Sequence, residues 1–458
     1  MLFRPLQALL TASILLASSL ADASSGSATP QDEHWITAFT AMPQLTEYTN
    51  LPTGAYNATP KFSNTTIRQS LKLDFPADGI SRRNIRLRFS NAFGSTPLVI
   101  DKVAVARPYN NSAGLSEIDD TTSIPVTFNR GNDEGVSIPN GALAVSDIFL
   151  YDFSNITTYS SYNGTTQAGS IITVTIYLSQ GQAGDENTSH PGSRINSYLG
   201  KGDQVAAANI TGSDVQALAH WYFISAVETW SARSASTFVL IGDSITDGRG
   251  SDTNLNDRWP DLLFTRMQSS SATNQIVIAN QAAGGNRILN DGNGPNVLSR
   301  IDRDVLAQSG VNYAMIFEGV NDIGTANATE AAQTSIYNQL IAAYRQVITR
   351  VHAQGIPIFA ATITPFGSLN STLQPYSDPA GLREQTRTKV NTWIRQSGEF
   401  DAVVDFDAFV RNPLNTTMLA PQYDSGDDLH PTVAGYQVIA DNFPLELFTQ
   451  WAGGYSGM

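Results

Sequence analysis

The chain contains no cysteine at all. Disulfides are therefore excluded, stability has to come from buried apolar surface, and any metal site would have to manage without thiolate ligands. Histidine is scarce, with five in 458 residues, and no two stand four apart as a helical zinc pair requires. No glycine-rich loop running into lysine, no dinucleotide fingerprint and no Gly-x-Ser-x-Gly elbow is present. Neither a metal nor another cofactor is expected. Positive charge is also in deficit: 27 Lys and Arg stand against 41 Asp and Glu, for a net charge of -14. Such a surface repels phosphate backbones, which argues against nucleic acid as a partner.

Long apolar runs are missing everywhere but at the start. There Arg4 precedes an apolar run from Ala8 to Leu20, and Ala21-Asp22-Ala23 supplies small residues at cleavage spacing. This layout is that of a secretory signal peptide over residues 1–23. The run is short for a membrane span and is interrupted by Ser13, Ser18 and Ser19. The expectation is a secreted, extracellular protein with no membrane span. Asn-x-Ser/Thr sequons at Asn57, Asn64, Asn110, Asn155, Asn163, Asn187, Asn209, Asn327, Asn370 and Asn415 add the expectation of N-linked glycans.

What the chain does have is 41% hydrophobic residues and enough length for two domains. Their textures differ. From about Trp35 to Val227 the segments are short, rich in Thr, Val and Ile, and punctuated by Gly, Pro, Asn and Asp. Ile85-Arg86-Leu87-Arg88-Phe89 alternates with period two, as a half-buried strand does, and 97–100, 124–128, 148–150 and 171–176 continue the series. A β-sandwich or jelly-roll domain over 24–230 is expected. From about Ser236, apolar strand candidates at 237–241, 276–279, 313–317, 358–361 and 403–406 alternate with helices such as Ser335 to Gln354, closed by Gly355. Fully apolar strands separated by helices mean a parallel sheet covered on both faces, here over 231–458. Ligands bind such sheets beyond the carboxyl ends of the strands.

Four loops at those ends carry chemistry. Gly242-Asp243-Ser244 follows the first strand and places a serine hydroxyl at the mouth of the sheet. Standing alone, Ser244 is equally a helix N-cap. Asn280 to Arg287 follows the second strand, and its glycines let a backbone N–H of Gly285 approach a substrate. Glu318-Gly319-Val320-Asn321-Asp322 follows the third; Asn321 is either an amide donor or a cap. Asp427-Asp428-Leu429-His430 precedes a helix expected near Pro431, and three-residue spacing in a tight turn lets Asp427 reach the His430 ring. Together they supply a nucleophile, a base with its orienting carboxylate, and donors for an oxyanion, which needs groups about 2.7–3.1 Å away. No other histidine has an aspartate at that spacing: His352 reads as solvated, His220 as structural, and His34 and His190 as loop residues. Arg258 and Trp259 read as helix packing or mouth residues, Arg287 as a contact for a substrate carboxylate or none, and Asp291-Gly292-Asn293-Gly294 as too incomplete for a calcium loop.

This combination resembles the SGNH hydrolases, or GDSL esterase/lipase family, in secreted members with an N-terminal β-rich domain. Gly242-Asp243-Ser244, Gly285, Gly319-x-Asn321-Asp322 and Asp427-x-x-His430 match its blocks over roughly Thr237 to Phe443. The resemblance implies a flavodoxin-like three-layer α/β/α catalytic domain. It also implies catalytic Ser244, Asp427 and His430, and an oxyanion hole of Ser244, Gly285 and Asn321. An ester substrate follows, expected to be an acetylated polysaccharide. A broad carboxylesterase or lipase, or a carbohydrate-binding protein with an inactive hydrolase half, are the alternatives.

Overall fold

The computed structural model describes residues 32–154, 158–160, 166–370 and 372–457. The expected leader at 1–23 and the sequons Asn155 and Asn163 lie outside the described residues.

Period-two patterning in the first half yields two antiparallel sheets. One runs through Glu33–Thr40, Ile224–Ala232, Arg82–Ser90 and Phe149–Asp152. The other runs through Gln216–Leu218, Ser197–Lys201, Thr65–Leu73, Ser170–Leu178, Lys102–Pro108 and Ile118–Val126. In Arg82–Ser90 the alternation sends Ile85, Leu87 and Phe89 inward. They share one core with Ile67, Leu71, Ile172 and Val174 of the opposite sheet. The product is the expected sandwich.

The antiparallel strand continues to Ala232, and at Ser236 the second, parallel sheet begins. Its five strands are all parallel, in the spatial order Ile276–Ala282, Ser236–Gly242, Val311–Phe317, Ile358–Ala361, Ala402–Val404. This 2-1-3-4-5 order is the flavodoxin-like one, with a switch of direction between the first and third strands in sequence. Both faces are covered, which explains the unbroken apolar strands. Phe238 and Leu240 pack with Trp259, Leu263, Tyr436 and Phe448 on one side; Val239 and Ile241 pack with Leu340, Tyr344, Val347 and Ile394 on the other.

Two boundaries differ from expectation for local reasons. The last strand stops at Val404, because Asp405 turns its carboxylate onto the Ala408 N–H and caps the helix Phe406–Val410. The long helix spans Glu330–His352, starting earlier because the Thr329 hydroxyl accepts from Ala332 N–H; Gly355 lies just beyond its end at φ +71°. Among the described residues no helix is long and apolar enough to cross a membrane.

The two halves are fused rather than strung together. Ile36, on the first strand of the sandwich, is buried in the core of the parallel-sheet domain. Thr37 N–H donates to Thr237 Oγ1 and to the Ser309 carbonyl, both at 3.1 Å. Lys72 of the sandwich, buried, reaches Asp74 at 2.6 Å and Asp261 of the parallel-sheet half at 3.2 Å. A buried charge is tolerable only with such partners.

Candidate active site

The first parallel strand ends at Gly242, and Asp243 leaves it in an extended conformation. It is Asp243, not Ser244, that caps the short helix Ser244–Asp247: its Oδ1 accepts from Ile245 N–H at 3.0 Å. The serine hydroxyl is thereby free of capping duty, and Ser244 Oγ lies 2.8 Å from His430 Nε2. His430 Nδ1 lies 2.7 Å from Asp427 Oδ2, while Asp427 Oδ1 accepts from the N–H groups of Leu429 and His430 at 3.1 and 2.9 Å. The helix expected near Pro431 begins at Val433, capped by the Thr432 hydroxyl.

Electrostatics suit a base poised to accept a proton. Burial pushes the His430 imidazole below its ordinary 6.5, against the pull of Asp427, and the Arg249 and Arg194 cations push the same way as burial. Burial raises Asp427, but the His430 ring and the two N–H donors outweigh it and hold the carboxyl well below the usual range. A permanently ionised Asp427 fixes the tautomer with the proton on Nδ1, leaving Nε2 free to accept from Ser244.

The donors converge on the same place. Ser244 N–H, the first of a helix, has no hydrogen-bond partner among the described residues, and neither has Gly285 N–H. Gly285 sits at φ +71°, and a Cβ there would come within 2.7 Å of Asn293 Nδ2. Asn321 is the second residue of the helix Val320–Thr325, so it is not a cap. Its Nδ2 gives one hydrogen to the Asn286 carbonyl at 2.9 Å and keeps the other; Tyr376 donates to its Oδ1 at 3.0 Å and fixes which way the amide points. Ser244, Gly285, Asn321 and His430 all line one cavity of about 470 Å³.

Sequence reasoning missed what holds these groups. The Asp322 carboxylate accepts from Ile288 and Leu289 N–H at 2.9 and 3.0 Å, tying the third-strand loop to the second-strand loop. Asp247 Oδ2 accepts from Gly284 N–H at 3.0 Å, and its Oδ1 lies 2.9 Å from Nε2 of His190, which belongs to the sandwich. His190 is no loop residue: it is buried on the strand Thr188–His190, and its Nδ1 faces the Met42 carbonyl at 3.0 Å. Both ring nitrogens face oxygen atoms, so the ring is held between the Met42 carbonyl and the Asp247 carboxyl. Gly192 passes so close over Asp247 that a Cβ would lie 1.7 Å from Oδ2. No local spacing announces this pair, whose members stand 57 residues apart.

Of the remaining arginine, tryptophan and histidine candidates, only His220 borders the cavity. Arg258 donates to the Ser193 carbonyl and lies over the Trp221 ring, and Trp259 is core. Arg287 is drawn to Asp291 O and Thr325 Oγ1. His34 lies on the first sandwich strand and meets the Ala235 carbonyl at 2.9 Å. His220 Nδ1 meets the Pro191 carbonyl at 2.7 Å and lines the cavity. His352 is not solvated: it pairs with Asp401 at 2.8 Å and stacks on Tyr455. Among the described residues no group of three or more His, Asp or Glu stands close enough to hold a metal ion.

Residues 238–443 match the family model described as GDSL-like Lipase/Acylhydrolase. No curated protein matches the chain. Solved structures similar to it include a lipase/acylhydrolase from Enterococcus faecalis, at 19% identity and TM-score 0.33, covering 49% of this chain and 99% of that one. A GDSL-like lipase from Bacteroides thetaiotaomicron is 16% identical at TM-score 0.33, with 47% and 89% covered. A catalytic mutant of an acetylxylan esterase from Geobacillus stearothermophilus is 19% identical at TM-score 0.34, with 46% and 95% covered.

Proposed function

We propose, from the premise that residues 238–443 belong to the GDSL-like lipase/acylhydrolase family, that the chain is a serine esterase with Ser244 as nucleophile, His430 as base and Asp427 as the group that orients it. The observation that carries this reading is the unbroken contact from Ser244 Oγ through His430 to Asp427, at 2.8 and 2.7 Å. Ser244 Oγ attacks the ester carbonyl carbon as its proton passes to His430 Nε2. The carbonyl electron pair moves onto oxygen, which the N–H groups of Ser244 and Gly285 and the Asn321 amide receive. Collapse of the tetrahedral species expels the alcohol, which takes the proton from His430. Water then attacks the acyl-enzyme by the same route, releasing the acid and restoring Ser244.

The substrate class we infer is an acetylated polysaccharide. Supporting it is the cavity wall, where Gln44, Asn50, Asn293 and Tyr376 offer donors and acceptors to sugar hydroxyls and only Pro191 and Leu429 are aliphatic. A lipase would call for a broad apolar surface here. Export fits the same reading. It is supported by the leader-like N-terminus and by sequons exposed at Asn64, Asn110, Asn209, Asn327, Asn370 and Asn415. Asn187 is buried and donates to Gln182 Oε1, so it has no room for a glycan.

Ser244→Ala tests the central assignment. Its turnover of 4-nitrophenyl acetate and its acetate release from acetylated xylan should fall by about 10³-fold or more, with an unchanged melting temperature. Near-normal turnover would remove Ser244 from the mechanism. Acetate release at background level from both acetylated xylan and acetylated pectin, by a wild-type protein active on the aryl ester, would remove the polysaccharide and keep the esterase.

A further inference from the structure

The cavity beside Ser244 is lined by two arginines: Arg249, beside Asp427, and Arg194, which the mechanism above leaves without a role. Arg194 lines it, on the turn that carries Gly192 over Asp247. Its backbone sits at φ +54°, a left-handed conformation that a long side chain rarely adopts. The turn is pinned on both sides: Asn254 N–H donates to the Arg194 carbonyl at 2.8 Å, and Arg258 donates to the Ser193 carbonyl. Strain of this kind persists only where the surroundings dictate it, and here they aim the side chain at the cavity.

What the guanidinium meets there is incomplete. Among the described residues Arg194 makes no ion pair and no side-chain hydrogen bond, and its Nε is buried without a partner. The other charges of the wall are accounted for. Asp247, the carboxylate that acts on it most strongly, is committed to His190 and to Gly284 N–H. Arg249 lies 3.8 Å from Asp427 Oδ2, and Glu47 stands exposed at the rim, its carboxylate accepting from Asn50. Burial pushes the Arg194 guanidinium below its ordinary 12.5. A half-buried charge without a counter-ion is costly, and an incoming anion that pairs with it recovers that cost.

We propose that Arg194 is a specificity residue that binds a carboxylate of the substrate, so that the preferred ester carries a negative charge close to the bond that is cleaved. This rests on the esterase reading of the same cavity and adds the charge of its substrate. The planar fork of Arg194 receives a carboxylate from one of two places. One is the alcohol side, as in an acetylated uronic-acid residue; the other is the acyl side, as in the half-ester of a dicarboxylic acid. The protein as a whole is acidic, at net charge -14, so attraction of an anion has to come from this local cation rather than from the general field.

Two substrate pairs read the proposal. One compares acetylated galacturonate oligosaccharides with acetylated xylo-oligosaccharides; the other compares mono-4-nitrophenyl succinate with 4-nitrophenyl acetate. In wild type the anionic member of one pair should have the higher kcat/KM, and the preference should shrink as salt rises from about 0.05 to 0.5 M. Arg194→Gln should lower that anionic-to-neutral ratio by about tenfold or more, and Arg194→Lys should restore part of it. The pair that responds tells which side bears the carboxylate. Ratios unchanged in both pairs overturn the proposal, and so does an equal loss on all four substrates, which would make Arg194 a general positioning residue. If the wild type cleaves none of the four, the esterase reading is what fails. Calorimetric binding of succinate and of a galacturonate oligosaccharide to wild type and Arg194→Gln then decides the anion site alone. Weaker binding of either ligand to the variant upholds the site, and equal or absent binding of both overturns it.

Discussion

Two sets of buried charges, one in each half of the molecule, are handled differently. Within the sandwich sheets, Glu228 and Arg68 are each enclosed by partners. Glu228, fully buried, receives Arg86 Nε at 2.6 Å and the Arg88 guanidinium, and Arg68 is enclosed by the carbonyls of Ser116 and Ala207 at 2.6 and 2.7 Å. In the hydrolase half three carboxyls lie buried beneath the site, Asp243, Glu318 and Asp322, and the facing cation is Arg300, 3.6 Å from Glu318. Burial raises all three, Asp243 to about 7 and Asp322 to about 6. The first pattern fixes a fold and asks nothing more of its charges. In the second, Asp243 and Asp322 are acceptors that pin backbone N–H groups of the loops around Ser244 and Asn321, while Glu318 accepts no hydrogen bond among the described residues and only faces Arg300. His190 breaks the division: it belongs to the sandwich by sequence and to the site by contact.

Three measurements strain this contrast. Asn321→Ala removes a donor from the oxyanion pocket and should lower kcat by about 10²–10³-fold with little change in melting temperature; an unchanged kcat would make the amide a mere strut between Asn286 and Tyr376. His190→Ala leaves Asp247 buried without its partner and lets the Gly284–Gly285 loop drift. We expect kcat on a small ester to fall about tenfold to a hundredfold while KM moves little, together with a lower melting temperature. A loss of stability with kcat intact would return His190 to the sandwich. The smallest effect concerns pH. A carboxyl raised by burial binds its proton more tightly when folded, so Asp243 contributes stability that is full below its ordinary 3.8 and is lost as pH rises towards about 7. Asp243→Asn keeps the cap acceptor and loses the titration. Its melting temperature should therefore fall less between pH 5 and pH 8 than that of wild type, and parallel curves would contradict the buried-acid account.

Much of this arrangement was legible in the sequence because it is local. Strands covered on both faces are apolar throughout, so the parallel sheet announces itself, and loops at the ends of its first three strands in sequence place Ser244, Gly285 and Asn321 around one point. His430 comes to it from the segment before the helix Val433–Asn442, past a helix and a hairpin that the sequence did not announce. Asp427 is readable because it reaches His430 within a single turn. The less legible parts are those that depend on distance. His190 with Asp247 joins two domains, Asp322 with Ile288 joins two loops, and the left-handed turn at Arg194 is imposed by packing against Asp247 and Arg258 rather than by its own residue type. Cap choice also escapes: Asp243 and Ser244 are both good N-caps, and only the turn of the chain at the strand end decides between them.

The most direct test of the account is covalent. An alkyl fluorophosphonate, which reacts with an activated serine and mimics the tetrahedral intermediate, should modify the intact protein once, on the peptide that contains Ser244, and abolish ester hydrolysis in proportion. Asp427→Asn should slow that labelling. Full hydrolytic activity after complete modification of Ser244, or inactivation traced to a different residue, would contradict it.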